Sequence, residues 1–377
     1  VRLKSFLVFG LTLALSSTLA RANLSFVLTP SVQACARSNE VFFTGILSNT
    51  DPTNDLYLND IQFIANGNFT PDSNAFFANV PGILSAGQTY SDVVFGVTVN
   101  PTTPAGDYFG AVTILGGSNI FAAGNLATQP FQISTIDVSI SANIADAYKF
   151  GAQPGSFVVT CVGGSDLSRI VNYAISGTAS NGFNYSPITN FVTSADSAPS
   201  NIAIIPLDDG VVEGDRTIVL TLSNSTAYNL ATPASATVTI HDTPFNDWRL
   251  ANFGTNANNN AISGDLADPD GDGIVNLLEY ALNLNPNVPS ASGLPTPQLN
   301  PTCGCLTLTY TRVIAATDLT YTPEAASSPG GPWNTNGITQ AVLASDAVTQ
   351  TIQASDAANP IATATNRFMH LKVTRQP

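Results

Sequence analysis

The run Ile136-Asp137-Val138-Ser139-Ile140-Ser141 alternates apolar and polar side chains without a break. Successive side chains of a strand point to opposite faces, so Ile136, Val138 and Ile140 face one way and Asp137, Ser139 and Ser141 the other. Residues 217–224 (TIVLTLSN) repeat the pattern with Ile218, Leu220 and Leu222. Val238 and Ile240 repeat it again in ATVTIHD. These runs mark residues 135–242 as a β-module with buried inner faces.

The same signals extend on both sides. Residues 41–47 (VFFTGIL), 56–64 (LYLNDIQFI), 93–99 (VVFGVTV) and 108–115 (YFGAVTIL) are rich in β-branched and aromatic side chains. Asn49-Thr50-Asp51-Pro52, Pro81-Gly82 and Pro104-Ala105-Gly106 punctuate them as turns. That spacing predicts an immunoglobulin-like sandwich over residues 23–134. Residues 306–311 (LTLTYT) and 369–373 (MHLKV) place a third, smaller sandwich at 298–377. Residues 243–297 differ: a short helix over 246–253 with Asn246 as its N-cap, an Asn-rich loop, and an acidic motif. The fold class is all-β, serial immunoglobulin-like sandwiches with a short helical linker.

Composition agrees. The 377 residues carry 26 acidic and 12 basic side chains, a formal charge of −14, with charged residues only 10% of the chain. An acidic surface without a Lys/Arg cluster disfavours nucleic acid and anionic lipid, and favours cations. Arg2 and Lys4, the apolar run at 6–15 (FLVFGLTLAL) and Ala20-Arg21-Ala22 read as an export signal over 1–22, with the exported chain beginning at Asn23. No later segment reaches about 18 apolar residues, so no transmembrane anchor is expected. Export permits disulfides among Cys35, Cys161, Cys303 and Cys305, and four cysteines leave three pairings open. Cys303-Gly304-Cys305 has no zinc spacing.

Residues 135–242 resemble a Calx-beta domain. The resemblance is carried by Pro154-Gly155-Ser156-Phe157-Val158-Val159, by 171–179 (VNYAISGTA), by Gly182-Phe183-Asn184-Tyr185, by 204–215 (IIPLDDGVVEGD) and by Thr239-Ile240-His241-Asp242. It implies a sandwich with calcium-binding acids at one end, and Asp208, Asp209, Glu213 and Asp242 match those positions. Three positions depart from the family. Lys149 stands where an acid is usual, Asn184-Tyr185 replaces Asp-Tyr, and Arg216 replaces Glu. A lysine at the edge of the site repels a cation.

The motif with its own chemistry is Asp268-Pro269-Asp270-Gly271-Asp272-Gly273-Ile274-Val275-Asn276-Leu277-Leu278-Glu279. It fits the twelve-residue calcium loop. Asp268, Asp270 and Asp272 curl round one Ca²⁺, and Gly273 permits the sharp turn. The Ile274 carbonyl, Asn276 and a bidentate Glu279 complete the shell, while Val275 packs inward. Leu277, Leu278, Ala281 and Leu282 share a helical face, so Glu279 rides an exiting helix over 276–284. Gly264 and Pro269 interrupt any entering helix. The loop therefore resembles those of dockerins and thrombospondin type 3 repeats. From Phe245 onward the chain also resembles a C-terminal region of large secreted bacterial proteins. Trp248, Phe253, Asp268 to Gly273, Glu279 to Leu282 and Arg367 to Val373 carry that order.

No catalytic constellation accompanies these features. The two histidines, His241 and His370, lie outside any nucleophile motif, and no phosphate loop or zinc-protease motif occurs. The sequence thus points to a non-enzymatic, bacterial, extracellular structural or adhesive protein stabilised by calcium. Its partner would be a cell-surface protein or a polysaccharide, and homo-oligomerisation stays open. The alternative is a carbohydrate-binding protein or accessory module of a polysaccharide-degrading system, for which Trp333, Tyr108 or Tyr310 would supply an aromatic platform.

Overall fold

A computed structural model describes residues 23–164, 168–194, 198–290, 292–360 and 366–376. The export signal lies outside the described residues. The protein is all-β with short helices inserted before the last third of the chain.

The first sandwich pairs two sheets. One runs Leu24–Leu28, Glu40–Asn49, Thr89–Val99, Phe69–Asp72; the other runs Val32–Ala34, Gly124–Thr135, Gly106–Gly117, Leu56–Ile64, Ile83–Leu84. Helix α1 (Asn74–Asn79) lies between strands. Phe43, Phe95 and Phe131 meet in the core at centroid distances of 4.9, 5.1 and 5.2 Å. Aromatic pairs of this kind add about 0.5–1.5 kcal/mol each beyond area burial. Gly110 makes the cluster fit, because a Cβ there would sit 2.5 Å from the Phe131 ring.

Only Ile136 separates strand Gly124–Thr135 from strand Asp137–Ile144, which opens the second sandwich. Its sheets are Ser200–Ile204, Gly155–Val162, Asp137–Ile144, Asn229–Leu230 and Asp146–Tyr148, Ser235–His241, Arg216–Leu222, Arg169–Gly177, Phe191–Ser194. The alternation read from the sequence places its side chains as expected. Ile136, Val138, Ile140, Ile218, Leu220, Val238 and Ile240 are buried, while Asp137 and Ser139 are half-exposed and Ser141 is exposed. Arg37 ties the first two sandwiches, donating to both Asp137 carboxylate oxygens at 2.7 and 3.0 Å.

The third unit packs the sheet Thr296–Asn300, Cys305–Val313, Thr349–Asp356, Ile338–Ser345 with the ribbon Leu319–Ala326 and Phe368–Arg375. Its core is small and includes side chains from outside its strands. Tyr310, Ile352 and Ala354 are buried against Ala281 and Leu282 of the preceding helix.

That helix belongs to the segment between the second and third sandwiches. Helix α2 spans Pro244–Phe253, and its N-cap is Thr243, not Asn246: the Thr243 hydroxyl accepts from Asn246 N, with Pro244 at the first helical position. Helix α3 (Asn260–Ser263) is a single turn, as Gly264 foretells. Helix α4 spans Asn276–Leu282 and stops short of residue 284, because Asn283 turns left-handed at φ 60 and the Leu284 N–H returns to Glu279 O. Cys303 and Cys305 form a disulfide across one residue, while Cys35 and Cys161 are buried free thiols. No helix among the described residues is long and apolar enough to cross a membrane.

Candidate metal centre

Asp268, Asp270 and Asp272 each offer a carboxylate oxygen, and these atoms lie within 4.8 Å of one another. The turn that gathers them uses two left-handed glycines, Gly271 (φ 76) and Gly273 (φ 89), a conformation that a Cβ would strain. The loop's own N–H groups hold the acids in place. Asp268 accepts from Gly271 N at 3.0 Å and Gly273 N at 2.9 Å, and Asp272 accepts from Ile274 N at 2.8 Å. Ser290 N, from beyond α4, also donates to Asp272 at 2.8 Å.

Glu279 and Asn276 stand on α4, outside the trio of aspartates gathered within 4.8 Å, and both are fully buried. Both Glu279 carboxylate oxygens, Asn276 Oδ1 and Asp270 Oδ2 are buried without a hydrogen-bond partner among the described residues. Asn276 is fixed by its other end: Nδ2 donates to Ile262 O and Gly264 O, both at 2.9 Å. Buried polar atoms without partners are rare and each requires an explanation. Desolvation, then the charges of Asp270, Asp272 and Asp268, push the Glu279 carboxyl from 4.5 up to about 7. Desolvation first, then Asp272 and Asp268, also raise Asp270. Hard carboxylate and amide oxygens gathered around unsatisfied positions are the donor set that Ca²⁺ takes. The residues therefore fit the ion. Ile274 follows the turn with its N–H committed to Asp272. It is Ile274, not Val275, that is buried; Val275 is half-exposed and extended ahead of α4.

Helix α4 places its next residue in a different environment. Tyr280 packs on Phe245 and Trp248 at centroid distances of 5.2 and 5.5 Å. Its hydroxyl donates to buried Asp318 at 2.7 Å, and the other Asp318 oxygen accepts from Phe245 N at 3.2 Å. Asp318 thus bridges α2, α4 and the third sandwich, a role that the sequence gives no sign of. Leu277 and Leu278, read onto the apolar face of α4, are only half-buried, and Tyr280 is the residue that meets Trp248. Arg375 of the last strand holds Asp265, just before the loop, through two bonds at 3.0 and 3.1 Å. On the opposite side, Asn258 exchanges two 2.8 Å bonds with the backbone of Val212 in the second sandwich.

The acids at the end of the second sandwich have a different occupant. Lys149 Nζ lies 3.0 Å from Glu213, 3.2 Å from Asp209 and 3.8 Å from Asp242, and its side chain is 1% exposed. Burial pulls its pKa down, but Glu213, Asp242 and Asp209 outweigh that and hold it above the ordinary lysine value. Asn184 donates to Glu213 and Arg216 pairs with it at 3.2 Å. Asp208 is exposed. The departures from the Calx-beta pattern therefore act together: an ammonium ion, an amide and a guanidinium neutralise these acids from within.

The aromatics considered for a sugar platform are not brought together. Tyr310 is buried, Tyr108 donates to Pro104 O in the first sandwich, and Trp333 stacks on His370 at 3.9 Å.

No family model matches the chain, and no curated protein is similar to it. Several solved structures are. An apo-form Calx CBD1 domain is 24% identical, over 28% of this chain and 96% of that one, with a TM-score of 0.25. The calcium binding domain CBD12 of CALX1.1 is 9% identical, over 57% of this chain and 99% of that one, with a TM-score of 0.21. The Yersinia pseudotuberculosis adhesin InvE is 15% identical, over 60% of this chain and 62% of that one, with a TM-score of 0.22. At such TM-scores none superposes on the chain as a whole, and the site stands on its own residues.

Proposed function

We propose that this chain is a non-enzymatic extracellular structural or adhesive protein of bacterial origin. Its second and third sandwiches are locked at their junction by one Ca²⁺. The ligands are Asp268, Asp270, Asp272, the Ile274 carbonyl, Asn276 and Glu279. The observation that carries the reading is the set of partnerless buried oxygens on Glu279, Asn276 and Asp270. Four carboxylates held together repel one another, and a divalent cation removes that repulsion and supplies the missing partner. The elements around the loop make the consequence structural: α4 feeds the third core, while Asn258 and Val212 reach the second sandwich. Extracellular calcium modules bind at roughly 10⁻⁴ to 10⁻³ M, which suits a structural ion rather than a signalling sensor. Both histidines have structural partners: His241 lies between Asp146 and Asp215, and His370 pairs with Glu324. That supports a binding protein over an enzyme.

Titration calorimetry of the chain with Ca²⁺ tests the proposal. It expects saturable heat at one site per chain, and absence of calcium heat defeats it. A pull-down from bacterial cell envelopes, with and without chelator, then identifies the surface partner. Retention that depends on calcium is the expected result.

A further inference from the structure

A cavity of about 690 Å³ opens between the second sandwich, α2 and the third sandwich. Tyr148, Phe150, Trp248 and Tyr280 line it, together with His241 and Asp247. Its size is that of a small-molecule site, and its wall is largely apolar with four aromatic side chains.

The polar groups of the wall differ in what they have left to offer. The His241 ring is clamped between Asp215 at 2.9 Å and Asp146 at 3.0 Å, so its charge is already neutralised. Asp242, also on the wall, accepts from Glu213 N, Thr243 N and Asn246 Nδ2 and faces the Lys149 ammonium. The Asp247 carboxylate has no hydrogen-bond or ion-pair partner among the described residues. Its position in the first turn of α2 favours a negative charge. Partial burial, then Asp242 and Asp215, nevertheless raise its pKa. One uncommitted carboxylate in an aromatic cleft, surrounded by further acids, attracts a cation. Tyr148 stacks one face on His241 and Trp248 one face on Phe245, and a weakly hydrated organic cation that meets a remaining face adds cation–π attraction to the charge. A metal ion would find only one free ligand, and an anion would be repelled.

We infer that this cleft binds a small organic ammonium ion, with Asp247 as counter-ion and Trp248 and its aromatic neighbours as the surrounding wall. The inference uses no residue of the calcium loop; Tyr280 follows the loop and its side chain belongs to the junction core, so the two proposals are tested apart.

Choline is the probe, and its neutral isostere 3,3-dimethylbutanol is the control. The chain has two tryptophans, so their indole N–H resonances are two separate reporters. Choline should shift the Trp248 resonance saturably and leave Trp333 unmoved, while the neutral isostere should bind about tenfold more weakly or worse. Asp247→Asn changes an exposed side chain and should weaken choline by about tenfold while leaving the isostere unchanged. Three results would each overturn the inference: no choline shift at Trp248, equal affinity for the isostere, or unchanged choline affinity in Asp247→Asn. Calcium heat measured on the same samples keeps failure here distinct from failure of the metal assignment.

Discussion

Glu279→Gln should stabilise the metal-free protein and remove its response to calcium. Glu279 is fully buried, and neither of its oxygens has a hydrogen-bond partner among the described residues. Desolvation and the three aspartates raise its carboxyl from 4.5 to about 7 without metal. The folded protein therefore holds this proton more tightly than the unfolded chain does. The contribution of Glu279 to metal-free stability is greatest below about pH 4.5 and is lost as pH rises through about 7. At about 1.4 kcal/mol per pH unit, the full cost above pH 7 is about 3 kcal/mol. Glutamine never ionises, so in chelator at pH 8 the variant should exceed the wild type by an amount approaching that figure. Calcium reverses the comparison. The wild type should gain about 2.7 kcal/mol at a hundredfold excess over Kd. The variant, without its bidentate ligand, should gain little. Urea unfolding of both proteins at pH 8, with chelator and with saturating calcium, reads all four values. A variant less stable than the wild type in chelator, or an equal calcium gain in both, refutes the reasoning.

Other expectations follow from the second sandwich and the N-terminus. Lys149→Met takes the ammonium ion from buried Asp242 and leaves half-buried Glu213 with Arg216 alone, and should cost about 3–5 kcal/mol in urea unfolding; a change below about 1 kcal/mol would mean that the acids are neutralised some other way. His241 is opposed by burial but held charged by Asp146 and Asp215, so its pKa lies above 6.5. Its stabilising contribution is complete below about pH 6.5 and fades as pH rises through the folded value. The stability gap between wild type and His241→Gln should accordingly shrink from about pH 6 to pH 9, and a gap independent of pH would remove His241 from the account. Mass spectrometry of exported protein should find Asn23 as the first residue; a retained Arg2–Ala22 stretch contradicts the export reading.

Legibility from sequence followed the range of the interactions. The runs around Val138 and Leu220 are set by a two-residue period, a local property, and their buried faces came out as read. The gathering of Asp268, Asp270 and Asp272 was equally open, because their spacing is a chain-local pattern that two glycines close. Interactions across long separations were not legible. Lys149 stood out as a misfit among acids, and only the fold shows it inserted between Asp209, Glu213 and Asp242. Asp318 lies in an ordinary polar turn until the fold brings Tyr280 and Phe245 to it. Of the four residues read onto the apolar face of helix α4, Ala281 and Leu282 are buried while Leu277 and Leu278 are only half-buried. The apolar face of a seven-residue helix is narrow, and the bulkier Tyr280 filled the space beside Trp248.

Helix α4 has a mechanical consequence. Within two turns it commits Glu279 to the acidic loop, Tyr280 to the Phe245–Trp248 cluster, and Ala281 and Leu282 to the third core. A pull applied along the chain would pass from strand Ser235–His241 into α2 and leave through strand Thr296–Asn300, with the loop and α4 in series between them. Without an ion, that stretch is held by packing, the Arg375–Asp265 pair and the hydrogen bonds of Asp318 and Asn258, and once these break it can extend by several tens of ångströms. If the proposed ion binds, it adds a latch alongside these bonds, so that the force needed to lengthen the chain would rise with the calcium concentration.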